Sequence, residues 1–183
     1  DGPPSPPPTR LTTLFGAGLA FRTAVLHEIF HGALPLFLTG HQGRKLSRGE
    51  DSELCLRAVL AGWELHREES LVLRHVILHR RLKWGYALRA RRGGGRADAI
   101  LLLYKELAEG RMPLDFRKRS DELRQTWQEL WRVLPDIRAL RRTGAWEGLR
   151  HSYLLGLTEG LLGLRARPYE KVRRQLLDLY GRP

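Results

Sequence analysis

The sequence predicts an α/β chain, with a few short strands and one acid-led helix in the first hundred residues and helices alone after that. Three observations lead there. Leu11–Phe15, Trp63–Leu65 and Leu71–Leu73 are short runs of strand-forming residues bounded by glycine or charged turns. Between the first two, Leu54, Cys55, Ala58, Val59 and Ala61 share one face of a helix. Beyond residue 99 the apolar residues keep a helical period to the end.

The bulk numbers fit one globular domain. The chain has 183 residues, 42% of them hydrophobic and 28% charged, a balance unlike that of a disordered segment. The formal charge of +12 attracts polyanions: nucleic acid, anionic lipid or a phosphorylated small substrate. Cys55 is the only cysteine, which excludes an intrachain disulfide and a cysteine-based zinc site and fits a reducing compartment. No run reaches the ~20 apolar residues of a membrane span; the nearest, Ala24–Leu38, is interrupted by His27, Glu28, His31 and Pro35.

Residues 1–10 hold five prolines and read as a disordered lead-in without the pattern of a signal peptide. With no initiator Met, they predict a fragment or a processed piece. Leu11–Phe15 reads as a strand, and Gly16-Ala17-Gly18 lets backbone pass close to a neighbour or a ligand. A short helix is expected over Thr23–Ile29 and a loop over 32–48. The next helix has Glu50, Asp51 and Glu53 in its first turn, matching the positive end of the helix dipole, and Gly62 as its stop.

Between residues 70 and 97 there is no acidic side chain but eight basic ones: Arg74, Arg80, Arg81, Lys83, Arg89, Arg91, Arg92 and Arg96. Gly93-Gly94-Gly95 is expected to break this stretch. Four helices should follow. The first spans Ala99–Glu109. The second starts on a Ser120 cap, with Leu123, Trp127, Leu130, Trp131 and Leu134 on one face before Pro135. The third covers 145–164, and the fourth runs from Tyr169 to Tyr180 behind Pro168.

Glu50 and Asp51, at a loop-to-helix junction, are candidates for general-base work, which needs a carboxylate on a rigid element at the edge of a cleft. The plainer alternative is an N-cap at Asp51 with a dipole-matched Glu53. A wider set of motifs surrounds the pair. Ser47–Leu65 contains Gly49-Glu50-Asp51-Ser52-Glu53-Leu54, Arg57 and Ala61-Gly62-Trp63. Leu71-Val72-Leu73-Arg74-His75 follows, and Gly16–Arg22 precedes. These three segments, in this order, resemble the C-terminal motif region of bacterial family-2 inverting glycosyltransferases, over roughly residues 11–100.

The resemblance implies a fold and a set of roles. The chain would be an α/β fragment, the C-terminal portion of a GT-A nucleotide-sugar transferase domain. Residues 11–100 would form its acceptor-binding, base-bearing half, and residues 101–183 a helical extension. Asp51 would be the catalytic base that deprotonates the acceptor hydroxyl. Glu50, Gly16, Gly18, Arg22 and Trp63 would bind the acceptor, with Glu53 and Arg57 in support. His75 would lie near the donor diphosphate or ligate its metal, beside Arg80 and Arg81. A lone histidine is also an ordinary hydrogen-bonded structural residue, and an arginine run is also an ordinary solvated face.

The complete enzyme would take a nucleotide-sugar donor, a saccharide or lipid-linked acceptor and a divalent metal (Mg2+ or Mn2+), with no organic cofactor. Its place would be surface polysaccharide biosynthesis in the cytoplasm or on the cytoplasmic face of the membrane, with no nucleic acid as partner. The family's nucleotide-binding half and its Asp-x-Asp metal motif have no match: no two of the seven aspartates form that spacing. The chain alone is therefore expected to be inactive. Two other readings compete. One is a basic helical module that binds nucleic acid. The other is a membrane-surface module using the leucine-rich helix 145–164 with Arg150, His151, Arg165 and Arg167, whose leucines equally suit core packing.

Overall fold

The computed structural model describes residues 11–14, 16–31, 35–38, 48–133 and 144–181. Six α-helices are found among the described residues: α1 (Thr23–His31), α2 (Glu50–Leu60), α3 (Trp84–Ala108), α4 (Phe116–Val133), α5 (Trp146–Leu164) and α6 (Ala166–Tyr180). A single 3-10 turn, His79–Arg81, precedes α3. The proline-rich lead-in, most of the expected loop 32–48, and Leu134 and Pro135 lie outside the described residues.

The α/β expectation is overturned. Among the described residues there is no strand and no sheet, so the chain is not an α/β portion of a GT-A domain. Leu11–Leu14, Trp63–Leu65 and Leu71–Leu73 are non-helical and form no strand ladder with any described residue. A short strand without a ladder partner gains no stability from its β-forming side chains.

The triglycine does not break the chain either. α3 runs unbroken for 25 residues through Gly93, Gly94 and Gly95. Glycine inside a helix costs about 1 kcal/mol against alanine, and close packing offsets that cost here. A Cβ on Gly95 would lie 2.7 Å from the backbone nitrogen of Leu157 in α5. One on Gly156 would lie 2.7 Å from the Arg92 carbonyl carbon, and one on Gly160 2.8 Å from the Arg96 carbonyl oxygen. The α3 and α5 backbones therefore touch directly, through glycines on both sides.

Around this crossing lies the main core: Leu56 from α2, Ala97, Ala99, Ile100, Leu101, Leu103 and Tyr104 from α3, Leu157 and Leu161 from α5, and Tyr169, Val172 and Leu176 from α6. Of the leucines of 145–164 proposed for a lipid surface, Leu157 and Leu161 belong to this core and Leu154 is buried as well, while Leu162 is exposed. Among the described residues no helix is long and apolar enough to cross a membrane.

α4 starts four residues earlier than its expected Ser120 cap. Asp115 Oδ1 accepts the Lys118 N–H at 2.8 Å, as a helix-starting carboxylate does. Ser120 sits inside the helix and donates its hydroxyl to the Phe116 carbonyl. A buried ion pair binds three helices together. Arg119 of α4 donates to Glu106 of α3 at 2.6 Å, and its Nε faces the Tyr169 hydroxyl of α6 at 3.5 Å.

Candidate functional site

α2 begins on Gly49, whose φ of 102° lies in the left-handed region that favours glycine. Gly49 is the N-cap and no side chain among the described residues caps the helix, so Asp51 is not its N-cap. Glu50 and Asp51 are instead its first two residues, at the positive end of the dipole. Asp51 Oδ2 accepts the Gly16 N–H at 3.0 Å, and Oδ1 accepts the Ser52 N–H at 2.8 Å. A carboxylate offers about four lone-pair sites, so these two bonds fix its orientation and leave acceptor capacity. Glu50 Oε2 is buried and accepts no hydrogen bond from any described residue.

Two hollows flank this junction. One, of about 370 Å³, is lined by Thr13, Leu14, Arg48, Asp51, Asp98 and Lys105, among others. The second, of 480 Å³, is lined by Leu14, Phe21, Arg22, Trp63, Glu64 and His66, among others. Leu14 is common to both, and the Gly16–Asp51 bond lies two residues away along the chain. Trp63 is fixed by its indole N–H, which donates to Glu28 of α1 at 2.7 Å. Arg22 and Trp63 therefore share one cavity, and Asp51 lines its neighbour. Gly16 and Gly18 form the turn between them; a Cβ on Gly16 would meet Asp51 Oδ2 at 2.9 Å.

Beneath the junction the α2 helix is locked by a buried cluster. Glu53 Oε1 accepts from Arg57 at 2.8 Å, from the Tyr104 hydroxyl at 2.9 Å and from the Phe37 N–H at 3.1 Å. Glu53 Oε2 accepts the Leu38 N–H at 2.8 Å. Arg57 also donates to the Pro35 carbonyl and to the Tyr104 hydroxyl. Burial pushes the Tyr104 phenol well above its usual range, and the neighbouring Glu53 charge adds to that. Burial alone would lower the Arg57 value, but Tyr104 and Glu53 outweigh it and hold the guanidinium charged. Glu53 and Arg57 are thus buried and lock α2 in place.

The predicted donor-side residues do not converge on this junction. His75 is exposed, with no hydrogen-bond or ion-pair partner among the described residues, and lines neither hollow. Arg80 and Arg81 lie on the 3-10 turn, where Arg81 donates to the Tyr86 hydroxyl at 2.9 Å and stacks on its ring. Part of the basic run is already engaged: Arg92 and Arg96 pair with Glu159, and Arg91 lies over the Tyr153 ring. Among the described residues no three His, Cys, Asp or Glu side chains converge as metal ligands. With His75 isolated and no carboxylate beside it, these residues do not fit the divalent metal that the resemblance implies.

Sequence reasoning missed Tyr104, Glu28, Asp98 and Lys105. Tyr104 completes the buried cluster from 51 residues away, and Glu28 holds Trp63 from 35 away. Nothing local in the sequence marks either pairing. The one available signal was Glu28 itself, a charge inside the apolar run of α1. No family model matches this chain, no curated protein is significantly similar to it, and no solved structure matches its fold.

Proposed function

We propose that this chain is the acceptor-side, base-bearing component of an inverting sugar transferase. One observation carries the reading: a helix-start carboxylate, oriented by two backbone N–H groups, beside a cavity that presents an indole and a guanidinium. Asp51 keeps unused lone pairs with which to take the proton of an attacking hydroxyl. Trp63 offers an apolar face for a sugar ring and Arg22 donors for its hydroxyls, the mixed lining expected of a small-molecule site. Glu50, at the same helix start, would help to orient the acceptor. Inverting transfer needs one base and no covalent intermediate, so a second catalytic carboxylate is not required.

The nucleotide-sugar donor and any divalent metal would be held by groups other than the described residues, among which no metal-ligand set is found. Gly16 and Gly18 would shape the approach to Asp51.

Saturation-transfer NMR of the chain against mono-, oligo- and lipid-linked saccharides tests the acceptor site. A saccharide should bind with its ring protons near an indole, Trp63→Ala should abolish the signal, and Asp51→Asn should keep it. The isolated chain should turn over no nucleotide sugar. No saccharide binding, binding unaffected by Trp63→Ala, or turnover of a nucleotide sugar by the isolated chain would overturn the proposal.

A further inference from the structure

We propose that Leu71–Leu78 is a docking strand that adds to the exposed edge of a β-sheet on an acidic partner polypeptide. The inference does not depend on sugar transfer. From Leu71 to Leu78 the chain has no helix, turn or bend, and no residue in it has a positive φ, so the backbone is extended. Leu71, Val72, Leu73, Val76, Ile77 and Leu78 are all at least half exposed, Val72 at 85% and Val76 at 81%. Single exposed apolar residues are ordinary; six within eight positions mark an interaction surface.

The pattern says what kind of surface fits. Successive side chains of an extended chain face opposite ways. Leu71-Val72-Leu73 and Val76-Ile77-Leu78 therefore place apolar groups on both faces of the ribbon. A strand with one wet face alternates; one covered on both faces reads as a continuous apolar run.

The backbone adds an independent argument. The Leu71 N–H reaches the Glu68 carbonyl, and the Leu78 carbonyl accepts from Arg81. Between them, residues 72–77 make no backbone hydrogen bond among the described residues. Lipid would cover the side chains but leave those N–H and C=O groups unsatisfied, whereas a sheet edge satisfies both.

Charge selects the partner further. Arg74 lies within the segment, Arg80, Arg81 and Lys83 follow it, and no acidic side chain occurs between residues 70 and 97. Pairing with a second copy would oppose like charges across the ladder, while an acidic edge would complement them. The segment is also tied to this chain's own surface. A Cβ on Gly18 would collide with Leu73 Cδ1, so Leu73 packs on the turn whose Gly16 N–H holds Asp51. A partner docked here would sit beside that junction.

The full-length chain tests the proposal, with a short capped peptide alternating glutamate and valine as the sheet-edge probe. Its control carries proline at two central positions. Amide exchange followed by NMR should slow roughly tenfold or more at residues 72–77 with the first peptide and not with the control. Val72→Glu, at an exposed position that leaves the core intact, should weaken peptide binding by roughly tenfold. Three results would each overturn the proposal: no protection at 72–77 by the peptide; protection by phosphatidylglycerol vesicles but not by the peptide; or protection that rises with protein concentration alone, which would identify a second copy as the occupant.

Discussion

Asp51 reaches across 35 positions of sequence to accept the backbone N–H of Gly16 at 3.0 Å. That bond ties the turn before α1 to the start of α2 and, together with the Ser52 N–H, aims the carboxylate. Its partner has no room for a side chain, because a Cβ on Gly16 would press on Asp51 Oδ2 at 2.9 Å and on its Cβ at 3.2 Å. Gly16→Ala should therefore turn Asp51 away at a cost of about 1 kcal/mol, the typical net worth of one hydrogen bond. Denaturant titration measures the cost. The Gly16 amide of an Asp51→Ala variant should in turn exchange faster than that of the parent, with the helix amides of α3 and α5 unchanged.

Glu53 and Arg57 make a stronger demand on the fold. Both are fully buried, with Tyr104 and three backbone groups completing their bonds. Removing one partner of a buried ion pair strands the other charge, which typically costs about 3–5 kcal/mol. Glu53→Gln should lose that much, because its amide N–H₂ must face an N–H or guanidinium donor. Tyr104→Phe removes one hydrogen-bonding group and leaves the ion pair, so its loss should be nearer 1–3 kcal/mol. Equilibrium urea unfolding of the two variants gives the ordering, and equal losses would mean that the ion pair itself contributes little.

Local features were legible in the sequence, and features made by distant partners were not. The start of α2 could be read from Gly49, Glu50 and Asp51, and the Glu53–Arg57 pair is an i,i+4 spacing on one helix. Trp63 and Arg22 were candidate acceptor residues, and the structure brings them to one cavity. The α/β class failed because β-forming side chains at Trp63–Leu65 and Leu71–Leu73 specify a strand only when another strand lies alongside. Gly93–Gly95 was misread for a related reason: composition marks a break, and only the α5 glycines, more than 60 positions on, turn it into a packing seam. Ser120 resembled a cap because the acceptor that starts α4, Asp115, stands before an aromatic residue rather than at the head of the apolar face.

That seam gives a prediction with opposite signs at neighbouring positions. Gly95→Ala and Gly156→Ala would drive a methyl group into the facing helix backbone, which cannot rotate aside. Separating two packed helices should cost about 1–3 kcal/mol or more, the range for overpacking a core. Gly94 shares the helix with Gly95, but a Cβ there meets nothing within 4 Å. Gly94→Ala should therefore gain up to about 1 kcal/mol from helix propensity alone. Thermal unfolding of the three variants decides it: Tm should fall for the first two and rise for the third.

Two α5 residues, one facing α4 and one facing α3, should set the acid limb of stability, in two steps. His151 stands edge-on to Trp127 and Trp131. Burial, then the charge of Arg92, lowers its affinity for a proton below the ordinary value of 6.5. A lowered folded value means that the neutral form is preferred, so this contribution is intact above the ordinary value and is lost as pH falls below it. Glu159 acts lower down. The Arg92 hydrogen bond first, then those of Arg96, hold its carboxyl down to about 2 from an ordinary 4.5. Its contribution is present above 4.5 and fades as pH falls toward 2. Both Glu159 and its arginines are partly exposed, so solvent screening limits the second step to about 1 kcal/mol or less. Urea midpoints measured from pH 7 to pH 2 should show both declines. His151→Gln should flatten the upper one and Glu159→Gln the lower, each leaving the other in place; a decline below pH 6.5 that survives His151→Gln would assign that step to another group.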